Sequence, residues 1–236
     1  MPRFSFADLL HPRRADEATG NEAFRVVRTN LELALLELEP ATIMVTSAHP
    51  GEGKTATCAH LARSFAEAGR RVVAVDLDLR LPDLHTWFDT DKSPGASDVL
   101  TEACRLEDAV RYVEVLSMSG TTTHALNVLS AGSPVPNPTE LLGTDRMARM
   151  LEALARQSDL VLIDTPPVLP VADTLVIARL TGGALLVIDE DTPLESALAV
   201  KDALTRNHAN VIGVVLNRFE HSALGYGYED RPSVKE

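Results

Sequence analysis

Apolar and polar positions follow two different patterns along this chain, and each pattern predicts one type of element. Short apolar runs without polar alternation are typical of parallel strands covered on both faces. They lie at 42–46, 71–76, 126–130, 159–163, 184–188 and 211–216. Apolar residues that recur every three or four positions indicate helices. These lie at 21–39, 54–68, 138–156, 171–180 and 194–207. The alternation predicts an α/β fold, a doubly wound and mainly parallel sheet with helices on both faces.

Residues at the ends of two predicted helices support their boundaries. Gly69 follows the helix at 54–68, in the position where a left-handed residue commonly ends a helix. Asn137 and Pro138 predict an N-cap and a first helical residue, with Glu140 completing a capping box. The segment around Tyr112 looks helical, and we expect its ring to be buried.

The segment Pro50-Gly51-Glu52-Gly53-Lys54-Thr55 joins the first predicted strand to the helix that follows. Glycines let successive backbone N–H groups converge on one anion, and the start of the helix adds unpaired N–H groups and a positive dipole end. In a nucleotide-binding loop of this kind Lys54 would bridge the terminal phosphates and Thr55 would bind Mg²⁺. Ala48 occupies the position of an earlier glycine in the general P-loop pattern. The alternative is a turn that only joins strand to helix.

Acidic residues follow two other predicted strands. Asp76 and Asp78 come at the end of the strand at 71–76, and alternate residues of an extended segment point to the same side. Because ligands bind beyond the carboxyl ends of parallel strands, these carboxylates could hold Mg²⁺ through water and accept a proton. A solvated turn or an ion pair with Arg80 is the alternative. Asp164 follows an apolar strand as in a Walker B motif, which would place it opposite Thr55 on the metal, unless it only caps the next turn.

Composition limits the choice of partners and of compartment. The chain has 236 residues, of which 45% are hydrophobic, and this suits one α/β domain with a substantial core. A formal net charge of −12 argues against binding nucleic acid or anionic lipid through the electrostatic field of the whole protein. Cys58 and Cys104 are too few for a disulfide framework or a zinc site, so reduced thiols are expected. No apolar run reaches the ~18 residues of a membrane span, and we expect a cytoplasmic protein.

Together these motifs resemble the bacterial tyrosine kinases (BY-kinases), the autokinases of capsule and exopolysaccharide synthesis. The segments that carry the resemblance are 47–55, 72–82, 132–142, 162–167 and 213–218. It covers roughly 22–220 and implies a P-loop kinase domain at 21–220, between an irregular segment at 1–20 and a flexible tail at 221–236. The resemblance implies an ATP-dependent protein-tyrosine autokinase with ATP and Mg²⁺ as cofactors.

The resemblance also implies roles for individual residues. The nucleotide would be bound by Gly51, Glu52, Gly53, Lys54, Thr55 and Ala56. Lys54, Asp76 and Asp78 would be catalytic, and the two aspartates would activate the tyrosine hydroxyl. Thr55, Asp76 and Asp164 would hold the metal. Asn217 and Arg218 are expected beside the adenine, because that edge faces the base in related folds, with a capped turn as the alternative.

Two further features concern assembly and the phosphoacceptor. Glu22, Arg25 and Arg28 lie along one flank of a helix, where the resemblance implies ring-like homo-oligomerisation and spacing alone would suggest a solvated flank. Tyr226 and Tyr228 in the tail would be the tyrosines that a neighbouring subunit phosphorylates. The family usually has a larger tyrosine cluster, and a disordered tail with incidental tyrosines is the alternative.

The partners that the resemblance implies are the cytoplasmic segment of a membrane chain-length regulator, acting as activator, and a phosphotyrosine phosphatase. The regulator would recruit the kinase to the inner face of the membrane. The principal alternative function is a ParA- or MinD-like nucleotide-switch ATPase without kinase activity. His49 argues against it, because those ATPases carry a signature lysine there. A scaffold that has lost catalysis is a third possibility, and the retained site residues argue against it.

Overall fold

A seven-stranded sheet forms the centre of the molecule. The computed structural model describes residues 17–36, 38, 41–117 and 120–218, with side chains from residue 22 onward. The strands are β1 (Thr42–Ser47), β2 (Val72–Asp76), β3 (Arg111–Leu116), β4 (Thr123–Leu129), β5 (Leu160–Asp164), β6 (Gly183–Asp189) and β7 (Val211–Asn217). Their order is β3-β4-β2-β5-β1-β6-β7, and only the β3–β4 pair is antiparallel. The predicted mainly parallel sheet is confirmed.

Helices cover both faces of this sheet. They are α1 (Glu17–Leu35), α2 (Lys54–Glu67), α3 (Leu84–Trp87), α4 (Ala96–Leu100), α5 (Leu106–Ala109), α6 (Pro138–Leu142), α7 (Asp145–Gln157), α8 (Asp173–Ala178) and α9 (Leu194–Arg206). Neighbouring residues of β1 serve opposite faces, since Ile43 and Val45 belong to the core under α1 and α2, whereas Met44 belongs to the core under α7 and α9. This two-sided burial explains why the strands are apolar without alternation.

The segment around Tyr112 is an edge strand, and the prediction of a helical, buried tyrosine is wrong. Val113 and Val115 of β3 pack towards the core, while Tyr112 points outward with 61% of its surface exposed. Antiparallel pairing with β4 leaves one face of this strand to solvent, so its apolar residues alternate with polar or exposed ones. Six residues are too few for this period to stand out against a helical pattern.

Helix boundaries differ from the predictions at two places. The helix expected at 138–156 is two helices, α6 and α7, separated by Gly143 and Thr144. Asn137 is the N-cap of α6 and Pro138 its first residue, but Asn137 makes no side-chain cap bond, so the predicted capping box does not form. The helix expected at 21–39 covers Glu17–Leu35. Gly69 has φ of +87° just beyond α2, as predicted.

Two expectations from composition concern thiols and membranes. Cys58 is buried and Cys104 half-buried, and both are free thiols. Across the described ranges, the structure contains no helix with the length and hydropathy that a membrane span requires.

An aromatic cluster joins α1 to α2 and α3. The imidazole of His60 in α2 lies parallel to the Phe24 ring of α1, with 4.7 Å between their centroids. Trp87 of α3 meets the same imidazole edge-on at 5.4 Å. Burial, together with the positive charge of Arg63, lowers the pKa of His60 from 6.5 to about 4.

Acidification is therefore expected to destabilise the protein through His60. Above pH 6.5 the imidazole is neutral in the folded and the unfolded chain, so His60 does not change the free energy of unfolding with pH there. Between pH 6.5 and about 4 the unfolded chain gains the proton first, and the folded protein loses at most about 3 kcal/mol of stability. Urea unfolding at several values across this interval measures the loss. His60→Phe keeps the stack without a titrating group and should lose less; an equal loss in both proteins would contradict the assignment to His60.

Candidate active site

Three neighbouring strand ends bring the predicted site together. β1 lies beside β5, and β5 lies beside β2, with Asp76 opposite Asp164 in the register. The phosphate loop follows β1 directly. Gly51 and Gly53 both have positive φ, and Gly53 is the left-handed N-cap of α2. Side chains with a Cβ rarely adopt this conformation, so the two glycines permit the tight turn that starts the helix at Lys54.

Lys54 occupies the centre of the site. Its Nζ donates to Asp78 Oδ2 at 2.9 Å and to Thr55 Oγ1 at 3.3 Å, and it lies 3.7 Å from Asp164 Oδ1. The structure thus places the predicted lysine, hydroxyl and carboxylates within one cluster. The alternative ion pair between Asp78 and Arg80 does not form, because Arg80 pairs with Asp173 instead.

Backbone amides fix the two carboxylates that follow β2. Asp76 accepts the N–H of Asp78 at 3.0 Å on one oxygen and the N–H of Leu84 at 3.1 Å on the other. Asp78 Oδ1 accepts the N–H of Leu81 at 3.0 Å, which leaves its other oxygen for Lys54. Both carboxylates are buried, so their orientation is set by the turn that carries them.

The cluster holds more negative than positive charge. Burial, and then the neighbouring Asp164, raise the pKa of Asp76 well above its usual value. Burial raises the pKa of Asp164 to about 6, although the ammonium of Lys54 opposes the shift. Burial lowers the pKa of Lys54, but Asp164 and Asp78 more than compensate and raise it overall. A further cation would relieve this excess of negative charge.

Asp164 shows where such a cation fits. Both of its carboxylate oxygens are buried, and neither has a hydrogen-bond partner among the described residues. The Lys54 ammonium at 3.7 Å and the Thr55 hydroxyl only partly offset the cost of burying this carboxylate. Mg²⁺ prefers carboxylate and hydroxyl oxygens together with its own waters. Thr55, Asp76 and Asp164 are therefore a donor set that fits Mg²⁺.

Similarity to known proteins agrees with this geometry. A family model described as CobQ/CobB/MinD/ParA nucleotide binding domain matches residues 43–230. Tyrosine-protein kinase YwqD of Bacillus subtilis (strain 168) is 35% identical over 214 residues, which is 89% of this chain and 87% of YwqD. The chain belongs to the bacterial tyrosine kinase family. This family membership confirms the predicted class of enzyme, a protein-tyrosine kinase.

Further relatives extend the comparison within and beyond the bacterial tyrosine kinases. A putative tyrosine-protein kinase in cps region of Klebsiella pneumoniae is 34% identical over 198 residues, 83% of this chain but only 26% of that protein. The solved kinase domain of Escherichia coli tyrosine kinase ETK has a TM-score of 0.78 at 30% identity, covering 97% of this chain and 86% of that one. MinD of Pyrococcus horikoshii OT3, solved with Mg-ADP, has a TM-score of 0.63 at 26% identity and covers 77% and 72%. The predicted P-loop fold is thereby confirmed.

Glu52 has a role that its sequence context did not reveal. Its carboxylate is buried and turns back into the phosphate loop, where it accepts the N–H groups of Ala48 at 2.7 Å and His49 at 2.9 Å. The hydroxyl of Thr192, in the loop after β6, donates to its other oxygen at 2.5 Å. In this member of the bacterial tyrosine kinases the side chain of Glu52 thus supports the loop from within.

Asn217 and Arg218 hold the same loop from β7. Asn217 donates from Nδ2 to the carbonyl of Glu52 at 2.9 Å, and its buried Oδ1 has no partner in the described part of the chain. Arg218 donates to the carbonyl of Gly51 at 2.6 Å and to Asp189 at 3.1 Å. Both residues therefore contact the backbone of the predicted phosphate loop, and their place beside the adenine stays a prediction.

The predicted assembly residues lie on α1. Arg25 pairs with Glu22 at 3.1 Å on the helix surface. Arg28 instead turns inward, donating to the carbonyl of Ser64 in α2 at 2.7 Å, and only 11% of its side chain is exposed. Tyr226 and Tyr228, the predicted phosphoacceptors of this bacterial tyrosine kinase, lie outside the described residues.

Proposed function

We propose that this chain is an ATP-dependent autokinase that phosphorylates Tyr226 and Tyr228 of a neighbouring copy. The observation that carries the proposal is the position of Lys54, whose Nζ lies between Asp78 and Asp164 at the start of a glycine-flanked helix. The phosphate loop would bind ATP through the backbone N–H groups of 51–56 and through Lys54. Asn217, whose amide oxygen has no hydrogen-bond partner among the residues that the structure describes, would face the adenine beside Arg218.

Asp78 is the proposed base. When ATP binds, the ammonium of Lys54 would exchange Asp78 for the terminal phosphates and so release a carboxylate oxygen. Asp78 would then accept the hydroxyl proton of the acceptor tyrosine while the tyrosine oxygen attacks the γ-phosphorus of ATP, and ADP would leave. Bound Mg²⁺ would supply charge stabilisation on the phosphate oxygens. Thr55, Asp76 and Asp164 would hold it.

The proposed process is control of the synthesis or export of a capsular or extracellular polysaccharide. The relative named for a cps region supports this assignment, together with the resemblance of the motifs. The kinase would work at the inner face of the membrane with the cytoplasmic segment of a chain-length regulator, and a phosphotyrosine phosphatase would reverse the modification.

The proposed homo-oligomeric ring would depend on the surface of α1. Arg25 is exposed enough on α1 to reach another subunit, and a homo-oligomeric ring would bring tails to neighbouring sites. Light scattering with ADP and Mg²⁺ is expected to show an oligomer for the wild type and a smaller species for Arg25→Ala. Equal monomeric masses would contradict the ring.

Mass spectrometry after incubation with ATP and Mg²⁺ tests the kinase assignment directly. We expect phosphate on Tyr226 and Tyr228, and more of it when the cytoplasmic segment of a chain-length regulator is added. Tyr112 is the internal control, since it is exposed on β3 and belongs to no proposed acceptor segment. Protein that binds ATP but carries no phosphate on the tail under either condition would refute the kinase. ATP-dependent dimerisation with ADP release and no phosphotyrosine would favour the MinD-like switch.

A further inference from the structure

A three-residue clamp lies beside the turn that carries the catalytic carboxylates. Arg80 donates from Nε to Asp173 Oδ2 at 2.7 Å and from Nη2 to Asp173 Oδ1 at 3.0 Å. Thr139 of α6 donates its hydroxyl to Asp173 Oδ1 and accepts from Arg80 Nη2 at 3.2 Å. Two parallel N–H···O bonds between a guanidinium and a carboxylate are among the strongest and most directional contacts in proteins.

The clamp joins three distant parts of the chain. Arg80 follows β2, Thr139 lies in the first turn of α6, and Asp173 begins α8. Asp173 is fully buried, whereas the side chain of Arg80 is 41% exposed. Burial alone would raise the pKa of Asp173, but Arg80 and Thr139 hold it below its usual value. The carboxylate is therefore charged at neutral pH, and Arg80 is its counter-ion.

The clamp anchors one end of a short turn whose other end is Asp78. Asp78 is bound to Lys54 through Oδ2 and to the N–H of Leu81 through Oδ1. Arg80 lies between Asp78 and Leu81 in the sequence, so the position of Arg80 sets the path of the backbone that supplies the Leu81 N–H. We propose that Asp173 and Thr139 are positioning residues for phosphoryl transfer, which hold Arg80 and thereby aim the Asp78 carboxylate. The inference rests on the proposed kinase function.

This assignment gives a role to the segment at 132–142, which the resemblance singled out and which contributes no predicted site residue. Asn137 and Pro138 start α6 and so place Thr139 towards Arg80. Nucleotide binding depends on other contacts, since the phosphate loop is held by Glu52 and Arg218. A change in the clamp is therefore expected to affect transfer more than nucleotide affinity. Errors of about 1 Å in the position of a reacting group cost roughly a hundredfold in rate.

The test compares Thr139→Val, Thr139→Ser and Asp173→Asn in the full chain. At saturating ATP we expect the rate of tail phosphorylation to fall about tenfold in Thr139→Val and about a hundredfold in Asp173→Asn. Thr139→Ser keeps the hydroxyl and should restore most of the rate. The KM for ATP and the Kd for ADP should stay within about twofold of the wild type in all three.

Thr205→Val is the matched control, because the Thr205 hydroxyl donates to the carbonyl of Lys201 on the exposed side of α9, away from the clamp. It should leave the rate unchanged. Wild-type rates in both Thr139→Val and Asp173→Asn would overturn the inference. So would a loss of rate that merely follows a loss of folded protein or of ADP affinity. A wild type that makes no phosphotyrosine overturns the proposed function, and the clamp's role in transfer with it.

Discussion

Replacing Lys54 with methionine is expected to lower phosphotyrosine formation on the order of a thousandfold. Lys54 is the cation that contacts Asp78 and Asp164 in the structure, and it is the proposed ligand of the terminal phosphates. Methionine has a similar length but no charge, so it can neither neutralise developing charge on the phosphates nor exchange partners with Asp78. Quantitative mass spectrometry of the tail, at saturating ATP and Mg²⁺, measures the loss.

The matched control for this variant is Lys201→Met. Lys201 is exposed on α9, so the same change of charge there should leave phosphorylation unaffected. Thermal unfolding of both variants without nucleotide adds a second readout. Lys54→Met leaves buried carboxylates without their ammonium and should be the less stable protein. A Lys54→Met protein that retains phosphorylation within tenfold of the wild type would contradict the proposed site.

Gly95→Ala is expected to cost about 3 kcal/mol or more of folding free energy. A Cβ at Gly95 would lie 2.2 Å from the carbonyl oxygen of Ser130 and 2.4 Å from the backbone nitrogen of Gly132. Gly95 has φ of −154°, which any residue adopts, so the cost is steric and not conformational. The carbonyl oxygen of Ser130 also accepts the N–H of Ala96 at 2.7 Å. Moving this carbonyl away from the new Cβ would break that hydrogen bond.

Gly143→Ala is the control for this substitution. Atoms nearest to a Cβ there lie at 3.5 Å or more, which is ordinary contact, so stability should change by less than about 1 kcal/mol. Thermal unfolding compares the two, with a decrease of roughly 10 °C expected for Gly95→Ala alone. Equal midpoints would show that the backbone near Ser130 moves aside at little cost.

Features encoded by neighbouring residues were predictable from the sequence. The phosphate loop, the Asp76–Asp78 pair and Asp164 each occupy a few consecutive positions, and parallel strands necessarily bring such ends to one edge. The local signal at Gly69 likewise identified the end of α2, since a positive φ there favours glycine.

Features encoded by pairs of distant residues were not predictable. Arg80 and Asp173 are 93 positions apart, and Thr192 and Glu52 are 140 apart. No local pattern distinguishes a buried, paired aspartate at the start of a short helix from a solvated one. Tyr112 was misplaced for a related reason, because the exposure of β3 depends on its being the outermost strand of the sheet.

The aromatic cluster around His60 has a practical consequence for spectroscopy. Trp87 is the single tryptophan of the chain, so all indole emission comes from one known place. Its ring meets His60 edge-on, and its carbonyl accepts a hydrogen bond from Arg63 at 2.6 Å. The short helix that carries it also supplies the Leu84 amide to Asp76. The natural fluorescence of the protein therefore reports, without any added label, on the junction between α1 and the turn after β2 that carries Asp76 and Asp78.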